Sequence, residues 1–234
     1  MSDKTIIALP SKGRLMEQAS KLFDDAGCPI QRSGQARGYF GRLTGFDDVE
    51  IQFLSASEIA HNLGSGKVHM GITGEDLLRE LIVDVDAKIS LEQRLGFGPA
   101  DVVVAVPESW LDVATMADLE EVSLEFGRNQ TRRLRVATKY INLTRQFFAA
   151  KGVTGYQTVE SSGATEGAPA AGTAEIIVDI TSTGSTLVAN NLKILTDGII
   201  LKSEAVLATS KSSTITEKQA LILRQIVSLL KKKI

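Results

Sequence analysis

Short apolar runs alternate along this chain with longer stretches that carry an apolar stripe at helical spacing. That alternation constrains the fold more than any other feature, because a repeated strand–helix order implies an α/β architecture. Residues 6–9, Ile-Ile-Ala-Leu, read as a buried strand. From Arg14 to Ala26 the apolar positions Leu15, Ala19, Leu22, Phe23 and Ala26 share one helical face, and Gly27 ends the helix. Strands are predicted at 49–54 and 68–73, with helices at 58–63 and 75–81. A second set follows: strands at 101–106, 133–138, 156–159 and 175–179, and helices at 140–151 and from Ser185. Residues 198–209 supply the last strands. A final helix opens with a Thr216/Gln219 capping box and shows Leu223, Ile226, Val227 and Leu230 on one face. The expectation is a mainly parallel sheet. Gly96, Gly98 and Pro99 cluster where the second set begins, which suggests two lobes.

The 234 residues suffice for one large domain or two small ones, with 43% apolar content for a core. A net charge of -2 argues against a general nucleic-acid or membrane-surface binder. A single cysteine, Cys28, permits no intramolecular disulfide and suits a reducing compartment. No apolar run approaches the roughly 18 residues of a membrane span. The N-terminal residues lack the apolar core of an export signal, so a cytoplasmic protein is expected.

The chemistry concentrates in EIIVDITSTGSTL, residues 175–187. An apolar strand ends in Asp179, followed by Thr181, Ser182, Thr183, Gly184, Ser185 and Thr186. Free N–H groups at a helix start, with several hydroxyls, make an anion site suited to a monoester phosphate. The loop has no lysine, so it is not a Walker loop. A carboxylate is repelled by phosphate but accepts two hydrogen bonds from a sugar diol. Together they predict a ribose 5-phosphate. The competing reading is a strand end, an Asp cap and a polar turn. VHMGITGEDLL repeats the pattern of apolar strand, Thr-Gly and helix. Each would present a helix N-terminus at the C-terminal edge of a sheet, where α/β proteins bind ligands, and two lobes facing across such edges would enclose a cleft.

Other candidates carry two readings each. Lys12 and Arg14 flank Gly13 at the first helix start, where cations oppose the helix dipole. They grip a polyphosphate or are a solvated basic pair. Arg37, with Gly38, Gly41 and Arg42, lies in an anion-binding glycine loop or a plain hairpin. Of the basic residues in 127–140 most read as solvated surface, but Lys139 follows a strand and falls at the sheet edge. The small-residue loop around Glu166 admits a flat ring or is flexible. His61 and His69 stand apart from any metal-ligand spacing and read as structural, and no metal-ligating residues are assigned. Cys28 reads as a turn residue rather than a nucleophile.

Taken together, ALPSKGRL, VHMGITGEDLL, RVATKYINLTRQFF and GATEGAPAAGTAEIIVDITSTGSTLVANNL resemble the ATP phosphoribosyltransferases that begin histidine biosynthesis, in order along essentially the whole chain. The length resembles their short form. The resemblance implies a two-lobed fold like type II periplasmic binding proteins, with the active site in the inter-lobe cleft. Lobe I would comprise 1–95 and 192–234, and lobe II 96–191. It implies a reaction of ATP with 5-phosphoribosyl 1-pyrophosphate, giving N1-(5-phospho-ribosyl)-ATP and pyrophosphate, with Mg²⁺ accompanying the substrates. A partner related to histidyl-tRNA synthetases, in a hetero-oligomer built on a homodimer, is implied too, with no nucleic acid and no membrane. Carried over, Asp179 holds the ribosyl hydroxyls and Thr181, Ser182, Thr183, Gly184, Ser185 and Thr186 the 5-phosphate. Lys12, Arg14 and Arg37 are the catalytic cations near the pyrophosphate or triphosphate. Lys139, Glu166 and the Gly74-Glu75-Asp76 turn bind ATP or line the cleft. One position departs: Ser55 stands where many relatives carry an arginine for the leaving pyrophosphate. Another phosphoribosyltransferase, or a non-catalytic two-lobed ligand-binding module, is the alternative.

Overall fold

The computed structural model describes residues 4–33, 38–129 and 132–234. The chain divides into two units, Met1–Gly98 with Glu204–Ile234, and Pro99–Ser203. The first unit runs β1 (Thr5–Pro10), α1 (Gly13–Asp25), β2 (Ile30–Arg32), β3 (Phe40–Leu43), β4 (Phe46–Leu54), α2 (Ala56–Gly64), β5 (Met70–Gly74), α3 (Glu75–Leu81), α4 (Val85–Lys88) and β6 (Ile89–Arg94). The second contains β7 (Asp101–Pro107), α5 (Met116–Asn129), β8 (Leu134–Thr138), α6 (Ile141–Ala150) and β9 (Tyr156–Glu160). A 3₁₀ turn (Thr165–Gly167), β10 (Ile176–Thr181), α7 (Ser185–Ala189) and β11 (Leu192–Leu201) complete it. The chain then returns to the first unit with β12 (Ala205–Ser210) and α8 (Glu217–Lys231).

In the first unit seven strands form one sheet in the order β2-β3-β4-β1-β5-β12-β6. Its central strands β1 and β5 are buried on both faces, so successive residues of β1 enter different cores. Ile7 and Leu9 pack with Phe23 of α1 and with Leu223, Ile226 and Leu230 of α8. Ala8 points the other way, towards Ile59 and Leu63 of α2 and Leu78 of α3. The approach of α2 is close enough to require glycine beneath it. A Cβ at Gly71 would lie 2.8 Å from Ile59 Cγ2 and 3.1 Å from the Ala8 carbonyl oxygen. The capping box expected at α8 is present, with the Thr216 hydroxyl accepting from Gln219 N–H and Gln219 Oε1 from Thr216 N–H.

The second unit has a five-stranded sheet, β11-β7-β10-β8-β9. Val103, Ala105 and Ile177 of its strands bury one face against Ala168, Ala174 and Leu187. Helices α5 and α6 pack against β8 and β11.

The structure corrects two expectations. The sheets are mixed rather than mainly parallel. Only β1–β4, β1–β5, β10–β8 and β8–β9 are parallel, while both strands flanking β12 and both flanking β7 run antiparallel to them. The reason is topological: β7 and β12 are reached by passage between the units, not by the helical crossover that parallel neighbours require. The return point also falls later than residue 192, because β11 hydrogen-bonds to β7 and belongs to the second unit. No helix among the described residues is long and apolar enough to cross a membrane.

Candidate functional site

In the second unit the sequence-predicted residues gather at one end of the sheet. Asp179 lies inside β10, opposite Val103 of β7, and its side chain is 16% exposed. Its Oδ1 accepts the Ile180 N–H at 2.8 Å. Strand β8 ends at Thr138, and the next residue, Lys139, brings its Nζ to 4.0 Å from the same oxygen. The 3₁₀ turn packs on β10 and brings Thr165 and the Glu166 carboxylate close to the Asp179 side chain, while the Thr165 hydroxyl donates to Ser161 Oγ at 3.0 Å. Burial pushes the Asp179 carboxyl above its ordinary range, helped by the Glu166 charge; Ile180 N–H, Lys139 and Thr165 oppose the shift. A carboxylate that costs desolvation and retains a cation, a second acid and open access is a functional-site candidate.

The loop after Asp179 is more committed internally than its composition suggests. Gly184 takes φ 75°, which a side chain would disfavour, and this turns the chain into α7. Gly184 N–H donates to Thr181 Oγ1 at 2.7 Å, and Ser182 Oγ donates to the Pro99 carbonyl at 2.7 Å. Thr183 Oγ1 and Ser185 Oγ are 2.9 Å apart, and Ser185 N–H leans on Thr183 Oγ1 at 3.4 Å. Ser182, Thr183, Ser185 and Thr186 are all exposed. The loop is a prearranged ring of hydroxyls in which one proton of the Thr183–Ser185 pair and the Thr186 hydroxyl face outward.

The small-residue segment around Glu166 is ordered. Gly167 N–H bonds to the Ala164 carbonyl, Ala168 N–H to Thr165 and Ala171 N–H to Gly167, while Ala168 and Ala174 enter the core. The basic cluster is also less solvated than expected. Arg132 and Arg135 both reach Glu175 Oε1, at 3.0 and 2.6 Å, and Arg135 donates to the Gly172 carbonyl at 2.9 Å. These bonds tie the small-residue segment to β8.

In the first unit Lys12 and Arg14 are exposed at the start of α1. Lys12 is the N-cap and makes no side-chain cap bond, and no acid occupies the first turn. A pocket of about 450 Å³ opens beside them, lined by Lys12, Met16, Arg32, Tyr39 and Phe53 among others. Arg32, which sequence reasoning missed, lies 3.9 Å over the Phe53 ring and donates to the Ser11 carbonyl at 3.4 Å. The alternation of β2 contained no signal for it. Arg37 lies outside the described residues. Ser55 caps α2: its hydroxyl accepts Glu58 N–H at 3.3 Å, and Glu58 returns the bond to Ser55 N–H at 2.9 Å.

The Gly74-Glu75-Asp76 turn differs from the other strand–helix junction. Glu75 is 2% exposed, with Arg79 Nε at 2.7 Å from Oε1 and Arg94 bonded to Oε2. Asp76 is buried too, its carboxylate folded back over Gly74. With two acids already in its first turn, α3 offers no anion site.

Residues 55–232 match the family model HisG: ATP phosphoribosyltransferase. An ATP phosphoribosyltransferase of Rhizobium meliloti (strain 1021) is 60% identical over 209 residues, 89% of this chain and 90% of that protein. One of Rhodopseudomonas palustris (strain BisA53) is 58% identical over 217 residues, 93% of this chain but 67% of that protein. The chain thus spans about two thirds of the length of several such relatives. In structure it is similar to a chain of the ATP phosphoribosyl transferase (HisG:HisZ) complex from Thermotoga maritima, with TM-score 0.73 and 23% identity over 98% of each chain. It also shares its fold with the P235GK mutant of ArgBP from T. maritima, at TM-score 0.53 and 15% identity over 98% of this chain and 89% of that one. The architecture is therefore the two-lobed one of type II periplasmic binding proteins, and by sequence the chain belongs to the ATP phosphoribosyltransferase family.

Proposed function

We propose that the chain catalyses the reaction of ATP with 5-phosphoribosyl 1-pyrophosphate that opens histidine biosynthesis, acting in the cytoplasm. The observation that carries this reading is the grouping of Asp179, Lys139, Glu166 and the hydroxyl ring 181–186 at one end of one sheet. Asp179 accepts the two ribosyl hydroxyls. The loop receives the 5-phosphate, whose oxygens take the remaining proton of the Thr183–Ser185 pair, the Thr186 hydroxyl proton and the free N–H groups at the start of α7.

In the step itself adenine N1 forms a bond to the anomeric carbon as the bond to pyrophosphate breaks. The electron pair leaves with pyrophosphate, and the ribosyl ring gains oxocarbenium character. Adenine N1 carries its own lone pair, so no activated Ser, Cys or His is needed. Positioning and electrostatic stabilisation supply the catalysis. Lys12 and Arg14, both exposed, are suited to the phosphates, and Arg32 supplies a guanidinium to the pocket that Lys12 lines. Because Ser55 is engaged in its capping box, these cations take over the charge stabilisation that an arginine at that position would provide.

Members of this family generally need metal ions. Among the described residues no group of three or more His, Cys, Asp or Glu is placed to hold one. The neighbouring carboxylates of Asp179 and Glu166 fit Mg²⁺ carried on substrate phosphates, since Mg²⁺ keeps several waters and binds through one or two carboxylates plus phosphate. When bound it would neutralise charge developing on pyrophosphate, with Asp179 and Glu166 the carboxylates within reach. The HisG:HisZ complex supports a HisZ-like regulatory partner for this chain as well.

Asp179→Asn tests the reading. Losing a charged acceptor for the diol costs about 1.5–3 kcal/mol, or roughly ten- to a hundred-fold in KM for phosphoribosyl pyrophosphate. The assay uses both substrates with a HisZ-like subunit in excess. An unchanged KM and turnover would remove Asp179 from the site.

A further inference from the structure

We propose that Phe53 is a positioning residue for Arg32: its ring face, reached across the bare backbone of Gly41, holds the guanidinium at the pocket that Lys12 lines. The proposal rests on the assignment of Lys12 and Arg32 to substrate phosphates.

Three adjacent strands bring the pair together. Arg32 of β2 is in register with Gly41 of β3, and Gly41 with Ile51 of β4. Phe53 lies two residues beyond Ile51, so all four positions share one face of the sheet. Strands β2 and β4 are two strand spacings apart, about 9–10 Å. Side chains at 32 and 53 therefore meet only over the middle strand, and that requires position 41 to be empty. A Cβ at Gly41 would lie 3.2 Å from Phe53 Cε2 and 3.0 Å from the Gln31 carbonyl oxygen. Glycine inside a strand weakens it and marks a close approach, here that of the Phe53 ring. Phe53 is 2% exposed, and its N–H donates to the Tyr39 carbonyl at 2.8 Å, which fixes the root of the side chain.

The guanidinium carbon of Arg32 lies 3.9 Å over the centre of that ring. A cation–π contact is stronger on a desolvated ring than at an exposed site. Stacking also fixes the guanidinium plane and turns its N–H groups sideways, which a lysine ammonium could not reproduce. One of them, on Nη2, donates to the Ser11 carbonyl at 3.4 Å. Ser11 is itself anchored, its N–H donating to the Leu54 carbonyl at 2.9 Å, just past Pro10 and Leu54, the last pair of the parallel strands β1 and β4. Arg32 is thus carried from an edge strand to the carboxyl end of a parallel pair, where α/β proteins bind ligands. The pocket of about 450 Å³ opens there, with both Arg32 and Phe53 in its wall. A phosphate entering it meets a guanidinium whose plane is already set, so less side-chain freedom is lost on binding.

A double-mutant cycle on kcat/KM for each substrate tests the pair, with a HisZ-like subunit in excess, using wild type, Phe53→Leu, Arg32→Gln and both changes together. Phe53→Leu should lower kcat/KM roughly two- to thirty-fold, the range of one cation–π contact. Beside Arg32→Gln the same change should cost less than about twofold, because the group it orients is gone. Phe53→Tyr keeps the ring face and should stay near wild type. Urea unfolding checks that each variant folds, and Phe53→Met, of similar volume but without a ring, takes the place of a Phe53→Leu that does not. Losses that multiply in the double variant, or a Phe53→Tyr as impaired as Phe53→Leu, overturn the positioning role and leave the phosphate assignment standing. An unimpaired Arg32→Gln overturns the assignment of Arg32 to phosphate itself.

Discussion

Glu75 was expected at the ligand side of a cleft, and its surroundings predict a stability effect instead. Its side chain is 2% exposed and bonded to Arg79 and Arg94, which are 30% and 51% exposed. The three charges are therefore unequal. Glu75→Gln leaves two guanidinium groups that can turn to water, and Arg94 also pairs with Glu204 at 3.7 Å. Only the difference between charge-assisted and neutral hydrogen bonds is lost, about 1–2 kcal/mol. Replacing both arginines by alanine strands a carboxylate where water cannot reach it, which costs about 3–5 kcal/mol. Against a total stability of about 5–15 kcal/mol, that gap is readily measured. Urea unfolding of the three proteins, compared at equal m-values, reads it directly. Adding Glu75→Gln to the double arginine variant should return about 2–3 kcal/mol, because it removes the stranded charge. Equal costs from the two sides, or no recovery in the triple variant, would refute the argument. Turnover of Glu75→Gln with saturating substrates should stay near wild type. A large loss would return Glu75 to the active site.

Two further predictions follow from packing and titration. Gly71→Ala should destabilise the first unit by about 1–3 kcal/mol, since the new methyl meets both Ile59 and the Ala8 carbonyl; an unchanged urea midpoint would mean α2 moves aside freely. His69 is buried, which lowers its pKa, and its Nδ1 accepts the Ile6 N–H at 2.9 Å, so it folds as the neutral ring. Unfolded histidine titrates near its ordinary value of about 6.5, so stability should be full above that pH and fall as pH drops through it towards the lowered folded value. His69→Gln should flatten that acid slope, and an unaltered slope would assign it to other groups.

Much of the fold was legible because it was periodic. The helices α1, α2, α3, α6 and α8 and the strands β1, β4, β5, β8 and β10 announce themselves through apolar spacing, and the α8 capping box through Thr216 and Gln219. The helix α5 was missed because its acidic residues dilute its stripe. Its position is fixed by a distant group, the Asp197 carboxylate that accepts Met116 N–H at 2.8 Å. Strand direction was misjudged because local periodicity does not report which unit a neighbouring strand comes from. Within the site, Asp179 and the hydroxyl loop were visible as types in a row. That Thr181 and Thr183 cap their own loop depends on the backbone conformation of that turn, and that Glu75 is also bonded to Arg94 and that Arg32 flanks Lys12 depend on packing between segments separated in the chain.

The place of β12 also governs the order in which this protein can be completed. It lies between β5 and β6, yet residues Pro99–Ser203 separate it from both. During synthesis the seven-stranded sheet has an empty slot flanked by two unpaired edges until residue 205 emerges, and only then can Ala205 meet Gly74 and Val206 meet Arg94. The second unit has every strand of its own sheet before that moment. A nascent chain therefore carries a closed distal half on an open proximal one, and those two bare edges are where misassembly or chaperone capture would begin.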